Sequence, residues 1–357
     1  MDAIALRRGE HTPIRIQTPK PTPKSGEALV RTLRVGVDGT DIEVLAGEHG
    51  GFPPGEDHLV LGHEAVGIVA NPNDTDLEEG TVVVPTIRRP HPDGRTAPQH
   101  LDQLDMAPMD TVVERGIAGA HGFMAEYFTS EEKYLVPIPD DLADVGFLVE
   151  PITITEKAVE HAVASRSAFD WRPESALVLG NGPLGLLTTA MFATGERFSD
   201  VYCLGRRDRP DLTIDMVESL GATYIDSRET PVSEISAAHR PMDLVYEATG
   251  YARHAFDGLD AVAPAGVLAL LGVPTDWPFE IDGGRLHREA VLGNKAVVGS
   301  VNADRNHFRA AVRTLDRLPA WVIDDLVTGV SPHTDAEPAF VTDDDASIKT
   351  AVEFHRV

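Results

Sequence analysis

The chain has 357 residues, in which 57 Asp and Glu outnumber 31 Lys and Arg for a formal charge of −26. That length accommodates about two domains, each with its own core. The carboxylate excess excludes a nucleic-acid binder, which needs a basic face to displace counterions.

Lysine occurs only at Lys20, Lys24, Lys133, Lys157, Lys295 and Lys349, and the acidic residues run through the whole sequence rather than gathering in a tail. Such a surface repels itself in dilute buffer and suits concentrated salt, where the repulsion is screened over a few ångströms. Cys203 is the single cysteine, so neither an intrachain disulfide nor a multi-thiolate zinc knuckle can form. Met1–Gly9 carries no long apolar segment, and Ala261–Val273 is interrupted by Pro264, Gly266 and Gly272. Neither reads as a secretory signal or a membrane span, and a soluble, cytoplasmic protein is expected.

The first third reads as short strands with turns. Ala28–Val37 mixes apolar and β-prone residues, and Gly80–Val84 is a β-rich run stopped by Pro85. Between them, Leu59–Val69 is an apolar run interrupted by Gly62-His63-Glu64, after which apolar and β-branched residues resume through Val69. A neutral imidazole beside a carboxylate offers nitrogen and oxygen ligands to a divalent metal; the plain alternative is a turn with a satisfied histidine. Arg88 to Asp110 is rich in Pro, Asp and Gln without a period, which predicts an exposed, mobile loop.

Near Glu150 the pattern changes. Thr155–Ala162 has helical spacing, with a start at Thr153 or Thr155. Strand and helix then alternate: Ala176–Gly180 strand, Leu184–Thr194 helix, Val201–Gly205 strand, Ile214–Leu220 helix, then strands in Asp243–Gly250 and Gly266–Gly272. Continuous apolar strands separated by helices imply a parallel sheet covered on both faces. Asn306–Leu318 reads as a helix, and the tail is expected to rejoin the N-terminal part.

Gly180-Asn181-Gly182-Pro183-Leu184-Gly185 places G-x-G-x-x-G at a strand-to-helix junction. There Gly180 permits the turn, Gly182 lets the backbone approach a pyrophosphate and Gly185 allows close helix–strand packing, with free helix N–H groups aimed at the phosphates. After the next strand come Arg206 and Arg207, which favour a ribose 2′-phosphate and hence NADP, and Asp208, which leaves room for NAD.

The chain resembles the zinc-dependent medium-chain dehydrogenases, and within them the archaeal glucose dehydrogenases of the haloarchaeal branch. The resemblance runs essentially end to end. It is carried by Gly36-Val37-Asp38-Gly39-Thr40-Asp41, Gly62-His63-Glu64-Ala65-Val66-Gly67, Glu114-Arg115-Gly116-Ile117, Gly119-Ala120-His121-Gly122-Phe123-Met124, Glu150-Pro151, the glycine fingerprint and Gly299-Ser300-Val301-Asn302.

The resemblance implies an α/β protein with a GroES-like β-rich catalytic domain (1–153 and 303–357) and a doubly wound Rossmann domain (154–302). It implies one catalytic zinc with Asp38, His63, Glu64 and Glu150 as candidate ligands, and Thr40, Glu64 and Glu150 as catalytic groups. Thr40, Glu114, Glu150 and Asn302 would bind the sugar. Gly180, Asn181, Gly182, Pro183, Leu184, Gly185, Arg206, Arg207, Leu271, Gly272, Val273, Ser300, Val301 and Asn302 would bind NADP or NAD. The implied reaction oxidises β-D-glucose to gluconolactone and feeds sugar catabolism of the Entner–Doudoroff type, in a homo-oligomer, dimer before tetramer, without nucleic-acid or membrane partners. The alternatives are another sugar or polyol dehydrogenase, or a non-catalytic NADPH-binding protein on the same fold.

Two departures stand out. Most relatives carry a cysteine where this chain has Asp38, and relatives often carry a four-cysteine structural zinc lobe where 88–110 has no cysteine.

Overall fold

The computed structural model describes residues 1–341 and 347–356. They fall into two units: Met1–Thr153 with Asn302–Arg317 and Val327–Val357, and Ile154–Val301 with Leu318–Leu326. The segment 303–357, expected to lie wholly with the N-terminal part, is therefore interrupted. Leu318–Leu326 groups with the second unit, and Asn302 with the first.

In the first unit the tail does return. Strand Glu27–Val37 pairs antiparallel with Glu64–Asn71 on one side and with Lys349–Glu353 on the other, and Val327–Pro332 pairs beyond it. Seven strands make this sheet. Val30, Leu33, Val35 and Val37 are all buried, so Glu27–Val37 is covered on both faces, as its near-continuous apolar text requires. The register sets Gly36 opposite Glu64, and Val37 opposite Thr350. The end of one strand, the start of a second and the start of a third thus meet at one edge of the sheet.

The region 88–110 is largely exposed, as expected, but it is not without order. Arg88–Pro90 is a strand paired with Val112–Arg115, and three single 3₁₀ turns follow it, at Pro98–His100, Leu104–Met106 and Met109–Thr111. Leu104, Ala107, Val112 and Tyr134 form a small core there. Arg88 is buried and donates to the carbonyls of Leu104 (3.3 Å) and Asp105 (2.8 Å). Order here comes from one arginine bonding to backbone, which leaves no period in the sequence.

The helix expected from Thr153 or Thr155 starts earlier, at Val149, and runs to Ser165. The 3₁₀ turn Gly146–Leu148 feeds directly into it, and Pro151 is tolerated because first-turn N–H groups have no intrahelical acceptor. Glu150 is thereby a first-turn residue.

The second unit is a six-stranded parallel sheet in the order Thr223–Asp226, Asp200–Gly205, Ser175–Leu179, Met242–Glu247, Val262–Leu270, Ala296–Gly299. The order reverses between Ser175–Leu179 and Met242–Glu247, the switch point at which doubly wound sheets bind dinucleotides. Among the described residues no helix is long and apolar enough to cross a membrane.

Candidate metal centre and nucleotide site

Asp38 ends strand Glu27–Val37 and caps helix Gly39–Ala46. Its Oδ1 accepts from the Asp41 N–H at 3.1 Å, and Asp41 Oδ2 accepts from the Asp38 N–H at 3.1 Å. This capping box turns both carboxylates toward His63. Asp38 Oδ2 lies 3.6 Å from His63 Nε2, and Asp41 Oδ1 lies 3.8 Å from His63 Nδ1. Both separations are longer than a hydrogen bond.

Glu64 lies across Gly36, where a Cβ would come within 2.0 Å of Oε2. Lys349 reaches the same oxygen at 2.5 Å and donates to the Val37 carbonyl at 3.0 Å. Two triads bring one ligand atom from each member within 4.8 Å of the others: Asp38 with Asp41 and His63, and His63 with Glu64 and Glu150. Thr40 Oγ1 donates to Asp38 Oδ2 at 3.3 Å.

The charges strain against burial. Burial would raise Asp38, but His63 and Lys349 outweigh it and hold the carboxyl well below its usual range. Burial pushes Glu64 up to about 7 against the pull of Lys349, and Glu150 up to about 8 against that of His63. Burial alone would lower His63, yet Asp38 and Asp41 raise it well above the ordinary imidazole value.

His63 Nδ1, Asp41 Oδ1 and Glu64 Oε1 are buried with no hydrogen-bond partner. Orphaned buried polar atoms of this kind are rare. One imidazole among carboxylates is the donor set of a zinc site that keeps a position open, so the residues present fit that ion.

A further group, Glu56, His58 and His121, also falls within 4.8 Å. There the Val60 N–H donates to His121 Nδ1 at 3.1 Å, so in the neutral ring Nε2 keeps its hydrogen. Neither nitrogen of His121 is left to ligate.

Glu114 and Asn302, the two expected sugar binders, are in contact: Asn302 Nδ2 donates to Glu114 Oε1 at 3.2 Å. Arg88 Nε reaches the same oxygen at 2.9 Å. All three residues are buried. Asn302 has φ +57°, a left-handed conformation that asparagine tolerates better than most residues. Segment 114–122 is pressed onto Gly62, whose carbonyl would lie 2.3 Å from a Cβ at Gly116 or Gly122.

Three functional neighbours escaped the sequence reading: Asp41, Arg88 and Lys349. Lys349 carried a signal, being one of six lysines in an arginine-rich chain. The other two carried none beyond their place beside motif residues.

In the second unit the three fingerprint glycines differ. Gly180 has φ +115°. A Cβ at Gly185 would meet the Gly180 carbonyl at 2.0 Å, whereas one at Gly182 would meet nothing within 4 Å. Gly182 caps helix Pro183–Thr194 with no side-chain bond, and Pro183 opens it, so the first-turn N–H groups face outward.

Asn181 Nδ2 donates to Thr213 Oγ1 at 2.6 Å. Leu271, Gly272 and Val273 follow strand Val262–Leu270, and Ser300 and Val301 follow Ala296–Gly299. All stand at the carboxyl edge of the sheet. Arg206 is exposed and Arg207 half-buried, the Arg207 N–H donating to the Tyr224 hydroxyl at 3.0 Å.

Residues 24–140 match the alcohol dehydrogenase GroES-like domain, and residues 143–354 the glucose dehydrogenase C-terminus. The chain is 62% identical over 358 residues to glucose 1-dehydrogenase of Haloferax mediterranei, covering 100% of both chains. It is 64% identical over 365 residues to glucose 1-dehydrogenase 1 of Haloterrigena turkmenica, again covering 100% of both. The solved structure of Haloferax mediterranei glucose dehydrogenase in complex with NADP, Zn and gluconolactone superposes with a TM-score of 0.98 at 62% identity, covering 100% of each chain. With both family regions present and identity of this order over the full length, the chain belongs to the glucose dehydrogenase family of zinc-dependent medium-chain dehydrogenases.

Proposed function

We propose that this protein is a glucose 1-dehydrogenase that oxidises β-D-glucose to glucono-1,5-lactone with NADP or NAD and one zinc ion per chain. The observation that carries the reading is the buried His63–Glu64–Glu150 triad with its orphaned polar atoms. A non-catalytic nucleotide-binding protein has no use for such a centre.

Asp38, His63, Glu64 and Glu150 would hold the metal, not all at once. Bound there, zinc supplies a Lewis acid that lowers the pKa of a hydroxyl, and the nicotinamide supplies the hydride acceptor. The chain's own residues do the rest. Glu114 has Oε1 committed to Arg88 and Asn302, which leaves Oε2 to accept a sugar hydroxyl. Asn302 keeps one amide hydrogen for a sugar oxygen, since its Oδ1 accepts from the Ala303 N–H at 2.8 Å. Thr40, donating to Asp38, presents its oxygen lone pairs to a hydroxyl.

Glu150, when it is not on the metal, is a buried carboxylate beside His63 and Glu64 and would serve as the general base. The balance is simple. The C1–H bond of the sugar leaves as hydride, the C1 hydroxyl proton passes to the Glu150 carboxylate, and C1=O forms.

Arg206 and Arg207 support a preference for NADP. A homodimer and a cytoplasmic setting complete the reading. The edge strand Ala296–Gly299 exposes Val297, with exposed Val291, Leu292 and Val301 around it, an apolar edge of the kind a second copy covers.

The test is turnover of a sugar panel (glucose, galactose, xylose, polyols) with each cofactor in molar chloride, before and after exhaustive chelation. Glucose is expected to lead, activity to vanish without metal and return with zinc. Full activity after chelation, or a polyol outpacing glucose, would overturn the assignment.

A further inference from the structure

Beyond the two arginines that the sequence marks, the structure holds a third guanidinium at the same place. Strand Thr223–Asp226 runs parallel to Asp200–Gly205, with Asp226 in register with Gly205. Arg228 follows two residues after Asp226 and folds back on it. Its N–H donates to Asp226 Oδ1 at 2.9 Å, its Nε to the same oxygen at 2.9 Å, and its Nη2 to Oδ2 at 2.6 Å. That fork fixes the guanidinium plane.

From there the same Nη2 reaches Asp208 Oδ1 at 2.8 Å and the Arg207 carbonyl at 3.2 Å. One nitrogen therefore ties the end of a strand to the loop that carries Arg206, Arg207 and Asp208. The wall beside it is a cavity of 470 Å³ lined by Arg207, Asp208, Tyr224, Asp226 and Arg228 among others. Arg209, also there, is turned to Glu218 at 3.0 Å.

A carboxylate after this strand normally accepts from the ribose 2′-hydroxyl and repels a 2′-phosphate. Asp208 stands in that stretch, beside two arginines suited to the phosphate. With Arg228 in place, its charge is compensated and one oxygen is occupied. Glu229 lines the cavity too, so without Arg228 a dianion entering it meets the carboxylates of Asp208, Asp226 and Glu229 with one compensating guanidinium fewer.

We infer that Arg228 is a positioning residue for NADP selectivity: it pairs with one oxygen of the exposed Asp208 and anchors the Arg207 backbone, so that the loop favours a 2′-phosphate over a 2′-hydroxyl. The inference rests on the reading of the cofactor as NADP. Its counterpart is that freeing Asp208 hands the same loop to NAD.

The experiment titrates 2′,5′-ADP and 5′-AMP separately, by calorimetry on the folded protein in molar chloride, so that a failure of the NADP reading shows itself in the wild type. Wild type is expected to prefer 2′,5′-ADP. Arg228→Gln is expected to weaken 2′,5′-ADP about tenfold, as loss of one charge-assisted contact would, while 5′-AMP binds as before or better. Asp208→Asn in the Arg228→Gln background is expected to restore most of the preference, and Arg228→Lys to keep part of it.

No preference in wild type would overturn the NADP reading and this inference with it. A wild-type preference that survives Arg228→Gln unchanged overturns the inference alone, as does an equal loss for both ligands, which is a merely structural effect. Failure of Asp208→Asn to restore the ratio overturns the route through Asp208. A matching split, a raised KM for NADP with kcat unchanged, is expected in turnover.

Discussion

At the scale of the residue, the Arg88–Glu114–Asn302 cluster shows how a buried charge can be both frame and function. Arg88 holds the 88–110 lobe by its carbonyls and Glu114 by its carboxylate. Arg88→Met leaves Glu114 buried without its cation, a change that costs about 3–5 kcal/mol. Thermal unfolding should show that loss, and the KM for sugar should rise. The double variant Arg88→Met with Glu114→Leu replaces both charges by apolar groups and should recover much of the stability while sugar binding stays lost. If sugar binding returned with stability, Glu114 would be a structural residue only.

The part played by Arg88 was not legible beforehand. Glu114 and Asn302 were visible through the motifs they sit in, but a buried ion pair spaced 26 residues apart leaves no local mark, and neither does the return of Lys349 to Glu64.

At the scale of the element, the fingerprint loop separates what folding demands from what a ligand demands. Gly185→Ala drives a methyl into the Gly180 carbonyl, and such overpacking costs about 1–3 kcal/mol. The variant should melt earlier even with no nucleotide present. Gly182→Ala meets open space at an ordinary negative φ, so its unfolding midpoint should stay near wild type, while its Kd for NADP should rise by about tenfold or more if the pyrophosphate lies on that backbone. A Gly182→Ala protein with unaltered nucleotide affinity would show that no phosphate approaches there.

The strands and helices of this unit were readable because a parallel sheet writes itself as apolar runs of fixed length with glycine at the turns. The lobe 88–110 was not. Its order depends on Arg88, Tyr134 and three isolated turns, each too short to repeat.

At the scale of the whole molecule, charge and metal make two predictions. The described residues offer one orphaned ligand cluster, and the 88–110 lobe has no cysteine. Elemental analysis should therefore return one tightly held zinc per chain, and two would refute the count. The net charge of −26 confines repulsion that unfolding relieves. Molar salt shortens the screening length to about 3 Å, so the unfolding midpoint should climb steadily from dilute buffer to several molar chloride. A flat midpoint would remove the halophilic reading and leave the dehydrogenase intact. Composition alone carries this prediction. The excursion of Leu318–Leu326 to the second unit was not legible in the sequence, because a seven-residue helix, Ala320–Leu326, carries no sign of which core it joins.

The register of strand Glu27–Val37 also orders events in time. Its free edge is closed by Lys349–Glu353, and the lysine that meets Glu64 bonds to Val37 across 312 positions of sequence. A nascent chain exposes His63 and Glu64 long before it reaches the strand that brings Lys349 to Glu64. Until that strand docks, the Glu64 carboxylate lacks its ammonium and the central sheet has an open flank. Contacts this distant in sequence form late. The charge balance of Glu64 is thus completed only when strand Lys349–Glu353 docks, although the candidate ligands themselves all lie between positions 38 and 150.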